Sequence, residues 1–544
     1  MQIGTIGSAH RAHVLGGGIV VVNGGGADEV RISWWIGGDD RWYMPDREIT
    51  TRQSLVRNTP IVSTAMRVPS GDVVVNCFGA VQSQRELCVI DIDNRSKVPF
   101  VCALVMKGPG VRDVTLTGST LKIGGFPILH LAKPPTRMAA VPVGGDLESV
   151  VTSGEAGVKL TSVDGPSEIA VLFPVTHGTT VRSGILLGVG SAVALVGSPV
   201  LSALGEVHNV ANGWQTQMRR APALILPDRE RTQKLDITMA SVLLASEPAV
   251  RADGNIDLVE RADLATALAS GGFEAESGAL LEDIADWQNT KGGFESPLTT
   301  ALVLRALGTY AQLSGNATFA ETLSPAAAGA AEYLLKNAKK SPSDASTLAA
   351  LWWAAQVFSV SGDRRAAEQC VKAWRKADRP WPLPAAALPT LPASSEGGVL
   401  VAPDQRRLIA QGLGLLGEVA RFVPAEDGAA FGVDLLSGFE PGWRGQNIEV
   451  RNIAVPGGRL SYAVRWHGRR VAILWDIVPV GQGADIESSA DAELAGLGEA
   501  PVSVTLGKTP MRTDESGIVL TCRSLDPNWS STVLRGEGLL VLAS

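Results

Sequence analysis

Few side chains in this 544-residue chain stand in a pattern that could do chemistry. The five cysteines (Cys77, Cys88, Cys102, Cys370 and Cys522) are scattered, and none falls in CxxC spacing. They read as buried free thiols of a reducing compartment. Among the six histidines only His10 and His13 lie close together, with no acidic or thiol neighbour in the sequence. A zinc-type site needs three or four donors, so no metal and no cofactor is expected. Gly16-Gly17-Gly18 and Gly24-Gly25-Gly26 match no phosphate-cradling loop. Gly188-Val189-Gly190 lacks the third glycine of a dinucleotide fingerprint. Carboxylates set just before apolar stretches remain: Glu295, which closes Gly292-Gly293-Phe294-Glu295, and Asp344, ahead of Leu348 to Phe358. An acid in that place can simply cap a helix and oppose its dipole. Trp287 lies beside the turn before Glu295, and Trp381 and Glu396 lie in a proline-rich stretch from Arg379 to Pro403.

The elements that hold these acids repeat. Ser314-Gly315-Asn316 is followed by Ala320-Glu321, and Ser361-Gly362-Asp363 by Ala366-Ala367-Glu368, with a shorter echo at Ser270-Gly271 and Ala275-Glu276. A spacing of about 45 residues is the scale of a repeated helical hairpin. Glycine can end one helix in the left-handed conformation, and Asn or Asp can cap the next. The helices alternate in kind. Leu298 to Leu313 and Leu348 to Phe358 are apolar nearly all round, which implies burial on every side. Their successors are amphipathic: Phe319, Leu323, Ala327 and Leu334 oppose Glu321, Glu332 and Lys336, and Cys370 and Trp374 oppose Glu368 and Lys372. Leu258 to Ala269 and Glu274 to Gln288 form an earlier hairpin, and a helical pattern from Gln405 runs to Phe422 and fades near Leu436.

Either side of the helices the pattern is β. Before residue 225, short apolar runs such as Val30–Trp35, Val73–Cys77, Cys88–Ile92 and Phe100–Met106 alternate with Gly, Pro, Asp and Asn, as in an antiparallel sandwich. A helical link from Val207 to Arg220 leads out of it. Past Gly438, Leu460 to Trp475 reads as a hairpin turning at His467-Gly468. The expectation is a multidomain α+β protein: a large N-terminal antiparallel β-sandwich (1–225), a central α/α-hairpin toroid, complete or partial (226–437), and a small C-terminal β-sandwich (438–544). A net charge of −7 without a basic stripe argues against nucleic acid or an anionic membrane as partner. The apolar runs are broken by Gly, Ser and Pro, and the first residues lack a secretion signal, so the expected location is cytoplasmic.

Thr51-Arg52-Gln53, Thr59-Pro60-Ile61-Val62-Ser63-Thr64, Gly71-Asp72-Val73-Val74-Val75 and the strand Val30 to Trp34 resemble scaffold strands of the glucoamylase-like enzymes of glycoside hydrolase family fifteen. With the helical hairpins, the order of parts resembles the six-hairpin glycosidase superfamily. The resemblance implies inverting hydrolysis of a glycosidic bond by two carboxylates, one protonating the leaving oxygen and one activating water from the opposite face. Gly292-Gly293-Phe294-Glu295 has the form of the family's acid segment, so Glu295 is the implied acid. Asp344 stands nine positions before Trp353, as the family's base stands before a buried tryptophan. Trp287 and Trp381 are the implied binding aromatics, and an oligo- or polysaccharide the implied partner. The family's tryptophan- and arginine-rich pocket clusters are absent. A non-catalytic glycan-binding or scaffold relative therefore stands as an alternative. An α-solenoid-type protein-interaction module is another, since HEAT-like repeats share the period.

Overall fold

Strand Val62–Val68 shows the rule that builds the first unit: Val62, Thr64, Met66 and Val68 are buried while Arg67 faces water. Period-two alternation of this kind turns one face of a strand to a core. In the computed structural model the described residues are 1–8, 10–22, 28–38, 41–124, 126–159, 165–188, 199–246, 257–339, 347–377, 405–424, 431–436, 440–443, 445–455, 458–467, 470–479 and four later strands, 502–506, 509–513, 519–522 and 539–542. Met1–Thr216 belong to one compact unit, and the described residues from Gln217 onward to the other.

The first unit holds two eight-stranded antiparallel sheets. One is centred on Val30–Gly37, Phe100–Lys107 and Ser167–Val175, with Leu104 opposite Trp34 on one side and Val171 on the other. The other is centred on Val62–Val68, Gly71–Gln82, Arg85–Asn94 and Thr180–Leu186, with Val75 opposite Ile92 and Thr64. Their inner faces share one core, in which Val73, Val75, Cys77, Ile90 and Ile92 meet Ile32, Trp34, Leu104, Val171 and Phe173. Each fully buried side chain of this size stabilises the fold by roughly 1.5–3 kcal/mol before entropy is counted.

Parts of the outer faces are covered too. Trp35, Ala103, Val105, Ala170 and Leu172 pack under Met44 and under Leu147 and Val151 of α1 (Leu147–Thr152). Phe78, Leu87 and Val89 pack under Leu201, Leu204 and Ala211 of α2 (Val207–Met218). Strands covered on both faces read as continuous apolar runs, which is why Val73 to Phe78 hardly alternates.

The second unit carries eight helices among its described residues: α3 (Arg229–Leu244), α4 (Leu258–Ser270), α5 (Glu274–Ala285), α6 (Pro297–Ser314), α7 (Ala317–Ala338), α8 (Ala350–Val360), α9 (Arg364–Lys376) and α10 (Gln405–Val419). Two kinds of helix alternate. In α6 every residue from Thr299 to Leu313 is buried except Arg305, and in α8 every residue from Ala350 to Phe358. In α7 burial is a stripe of Ala320, Leu323, Ala327, Ala330, Ala331 and Leu334, and in α9 only Cys370 and Trp374. The buried helices pack in a row, α4 on α6 and α6 on α8, while α5, α7 and α9 cover it; α10 lies against α3 and α4. The α6–α8 approach is close, since a Cβ at Gly308 would lie 2.5 Å from the Trp353 carbonyl oxygen.

Caps set the turns. Gly315 ends α6 at φ +60°, and Asn316 accepts the Phe319 N–H to start α7. Gly362 sits at φ +83°, and Asp363 accepts the Ala366 N–H to start α9. The upstream echo differs: Gly272, not Gly271, takes the left-handed conformation, and the buried Phe273 precedes α5 without a side-chain cap.

Two five-stranded sheets complete this unit. Gly458–His467 pairs with Arg470–Pro479 through His467 and Arg470, the hairpin expected at that place. Ala223–Ile225 pairs with Ile448–Val455. The helix from Gln405 stops at Val419 rather than Phe422. Ala420–Pro424 instead forms a strand with Phe431–Leu435, because ladder bonds to a later segment outweigh a weak local helix preference. None of the described helices is long and apolar enough to cross a membrane.

Candidate functional site

Between α5 and α6 the chain makes a tightly pinned turn, and two of the candidate residues stand at its ends. The Trp287 N–H donates to the Ile284 carbonyl as α5 finishes. Gln288 Nε2 then donates to the carbonyls of Gly292 (2.8 Å) and Ala326 of α7 (2.7 Å). Asn289 Oδ1 accepts from the N–H groups of Lys291 and Gly293, and the Asn289 N–H donates to the Gly293 carbonyl at 2.9 Å. An Asn folded onto its own following backbone is a standard turn device.

The glycines of this turn are steric necessities. Gly292 has φ +82°, and a Cβ there would come 2.5 Å from the Gly329 carbonyl oxygen; at Gly293 it would come 2.7 Å from the Tyr333 ring. Phe294 is fully buried. Its N–H donates to Thr300 Oγ1 at 2.9 Å, which ties the turn to the first turn of α6.

Glu295 then stands exposed, with φ +32°. It is not the helix cap: Ser296 Oγ accepts the Thr299 N–H at 3.1 Å, and Pro297 opens the helix. Among the described residues Glu295 has no hydrogen-bond or ion-pair partner. A non-glycine residue held at positive φ costs of order 1–3 kcal/mol, a strain that tends to persist where a side chain must be aimed. Trp287 is 48% exposed. Asp344, Trp381 and Glu396 lie outside the described residues.

Other carboxylates of the helices α4 and α5 are committed to arginines. Asp263 of α4 pairs with Arg305 of α6, and burial raises its carboxyl above the ordinary range against that guanidinium. Glu276 accepts both arms of Arg220 at 2.8 and 3.1 Å, and Glu274 accepts from Arg459 at 2.5 Å. No group of three His, Cys, Asp or Glu side chains among the described residues is arranged to hold a metal ion. His10 does have an acidic neighbour, Glu86 Oε2 at 2.9 Å, which its sequence surroundings hid because 76 positions separate them. Cys77, Cys88, Cys102 and Cys370 are buried and free. Burial pushes the Cys77 thiol up to about 12 and the Cys370 thiol to about 11, which leaves them unreactive.

Gln288, Asn289 and Thr300 are the residues of this site that the sequence reading passed over. The turn-rich run Gln288-Asn289-Thr290-Lys291-Gly292-Gly293 was the signal for the first two; nothing local marked Thr300.

No family model matches the chain, and no curated protein matches it. Solved structures similar to it include a bacterial glucoamylase complexed with acarbose, at 11% identity and a TM-score of 0.45, over 68% of this chain and 64% of that one. Another is a putative kojibiose phosphorylase from the human microbiome, at 7% identity and a TM-score of 0.42, over 90% of this chain and 88% of that one. A third is a family GH92 α-mannosidase from Bacteroides thetaiotaomicron, at 11% identity and a TM-score of 0.25, over 63% of this chain and 52% of that one. The chain thus spans less than two thirds of the length of the glucoamylase and the mannosidase. It is similar to glycosidase and phosphorylase structures of the kind its sequence resembles, a likeness of backbone arrangement that supports no step of chemistry.

Proposed function

We propose that the protein is a carbohydrate-active enzyme of the six-hairpin type that hydrolyses a glycosidic bond with inversion. Glu295 is the general acid and Asp344 the general base; Trp287 and Trp381 are the aromatic faces on which the sugar lies. The parts in this reading are a β-sandwich (1–225), an α/α-hairpin toroid (226–437) and a C-terminal β-domain (438–544), acting in the cytoplasm. The observation that carries it is Glu295 itself: an exposed carboxylate on strained backbone, without a partner among the described residues, held by a pinned turn at the start of a helix buried from Thr299 to Leu313 except at Arg305.

The chemistry follows from what such a group can do. A carboxyl not spent on an ion pair can give its proton to the oxygen of the departing sugar. A second carboxylate across the bond takes a proton from water, and the separation of about 6.5–9.5 Å that inverting enzymes keep leaves room for that water. Trp287, at the other end of the same turn, offers an apolar face to the C–H surface of a sugar ring.

The test is Glu295→Gln, assayed on an oligosaccharide panel with NMR detection of the first anomer released. The expected result is turnover lowered by about 10²–10⁴-fold, the usual contribution of a positioned acid or base, with binding retained and an inverted product from the parent. Unchanged turnover removes Glu295 from the mechanism. Binding without any cleavage by the parent protein selects the non-catalytic reading instead.

A further inference from the structure

We propose that the outer face of the first unit carries a second saccharide-binding site, a cleft with Trp42 as platform and the Arg41–Glu48 and Arg47–Glu148 pairs as its hydrogen-bonding rim. The cleft measures about 380 Å³, within the range of roughly 300–1,000 Å³ typical of small-molecule sites. It goes beyond the hydrolytic reading and does not rest on Glu295.

The platform is held in place by its neighbours. Trp42 lies opposite Gly37 in the sheet. A Cβ on Gly37 would come 3.0–3.2 Å from the indole, so the ring covers the bare glycine while remaining partly open to solvent. Met44 lines the same cleft, and Thr152 adds a hydroxyl at the end of α1.

The rim is ordered before any ligand arrives. Arg41 lies 4.0 Å over the Tyr43 ring and reaches the two Glu48 oxygens at 2.5 and 3.1 Å. The Glu48 side chain is only 13% exposed. Arg47 grips both Glu148 oxygens at 2.6 and 2.7 Å, which ties its loop to the first turn of α1, 101 positions away. Two-armed pairs of this kind fix geometry more firmly than single contacts.

The charge balance selects the ligand class. Each guanidinium already faces a carboxylate, so an anion would have to compete with Glu48 and Glu148, and a cation with the arginines. A neutral molecule with neighbouring donors and acceptors competes with neither. Its hydroxyls can give protons to spare carboxylate lone pairs and accept from spare guanidinium N–H groups. Vicinal diols of a sugar do this while the ring's C–H face rests on the indole.

The experiment titrates the full-length protein with maltotriose, cellotriose and adenosine by saturation-transfer NMR at millimolar concentration. The variants are Trp42→Ala, Arg47→Met and Trp287→Ala, each checked for folding by circular dichroism. At least one trisaccharide should bind. Trp42→Ala should weaken that binding about tenfold, the loss expected for one aromatic contact, and Arg47→Met should weaken it several-fold. Trp287→Ala should leave it in place, and Trp42→Ala should leave hydrolysis of a small aryl glycoside unchanged. Should Trp42→Ala fail to fold, Arg47→Met carries the comparison. Absence of saccharide binding, preference for adenosine, or unchanged affinity in folded Trp42→Ala and Arg47→Met overturns the proposal. Binding lost only in Trp287→Ala overturns it too, while leaving the hydrolytic reading intact.

Discussion

The two aromatic-and-acid regions differ in what their carboxylates are doing. Beside Trp42, Glu48 and Glu148 are each gripped by an arginine. At the other end of the turn from Trp287, Glu295 is exposed and has no partner among the described residues. A carboxylate gripped by two guanidinium arms is fixed in position, whereas one without such a partner is open to a substrate. Elsewhere in the first unit Arg182 is likewise locked two-armed onto Asp91 at 2.7 Å, and Cys77, Cys88 and Cys102 are sealed in the core. In the second, a turn is anchored at four or more points so that one acid can stay outside.

The largest expected effect breaks or keeps this contrast directly. Glu295→Gln should lower turnover by about 10²–10⁴-fold with little change in stability, whereas Glu48→Gln should leave turnover alone and loosen the loop it anchors. Steady-state rates and denaturant melts on both variants decide it. Equal rate losses would erase the distinction between the two acids.

Next in size is a buried group of the first unit. His130 is 4% exposed, and burial, helped by the charge of Arg85, brings its imidazole down to about 4 from 6.5. The unfolded chain therefore takes up a proton before the native one does. The contribution to stability is complete above pH 6.5 and is lost as pH falls toward 4, by about 3 kcal/mol in all. Urea melts across that range should show the loss, and His130→Gln should flatten it.

Gly292→Ala tests whether the turn aims Glu295. The new Cβ meets positive φ and the Gly329 carbonyl, so a stability loss of about 2 kcal/mol is expected, together with a fall in turnover. A melt without any change in turnover would mean the turn's rigidity serves the fold alone. The smallest effect belongs to the exposed Arg47–Glu148 pair. Arg47's hydrogen bonds hold the Glu148 carboxyl below its ordinary value, so the pair helps at neutral pH and its help fades as pH falls through that lowered value. Because both side chains meet solvent, 60% and 39% exposed, Arg47→Met should cost less than about 1 kcal/mol in a denaturant melt.

Much of the second unit was legible in advance because its signals are local. The apolar run Leu298 to Leu313 became the buried helix α6, and the Ser-Gly-Asn and Ser-Gly-Asp turns became left-handed glycines followed by capping side chains. The alternating runs before residue 225 became antiparallel strands for the same reason. Other features needed partners from elsewhere. Ala420–Pro424 is a strand because Phe431–Leu435 pairs with it, and Gly272 rather than Gly271 turns left-handed because Phe273 is drawn into the core. At the candidate site the sequence pointed to Glu295 and Trp287 but left capping open as the simpler role for the acid. That role fell to Ser296, whose oxygen meets the Thr299 N–H.

By itself, then, the sequence determined which stretches are helical, the glycine turns that separate α6 from α7 and α8 from α9, which faces are apolar and which residues could carry a proton. Those properties depend on neighbours within a few positions. Tertiary structure alone decided which acids are spoken for. Whether a carboxylate is paired depends on what the fold sets beside it, as Arg47 meets Glu148 across 101 positions and Asp263 meets Arg305 across 42. Glu295 was left without a partner among the described residues by the same folding that gave Glu148 and Asp263 theirs.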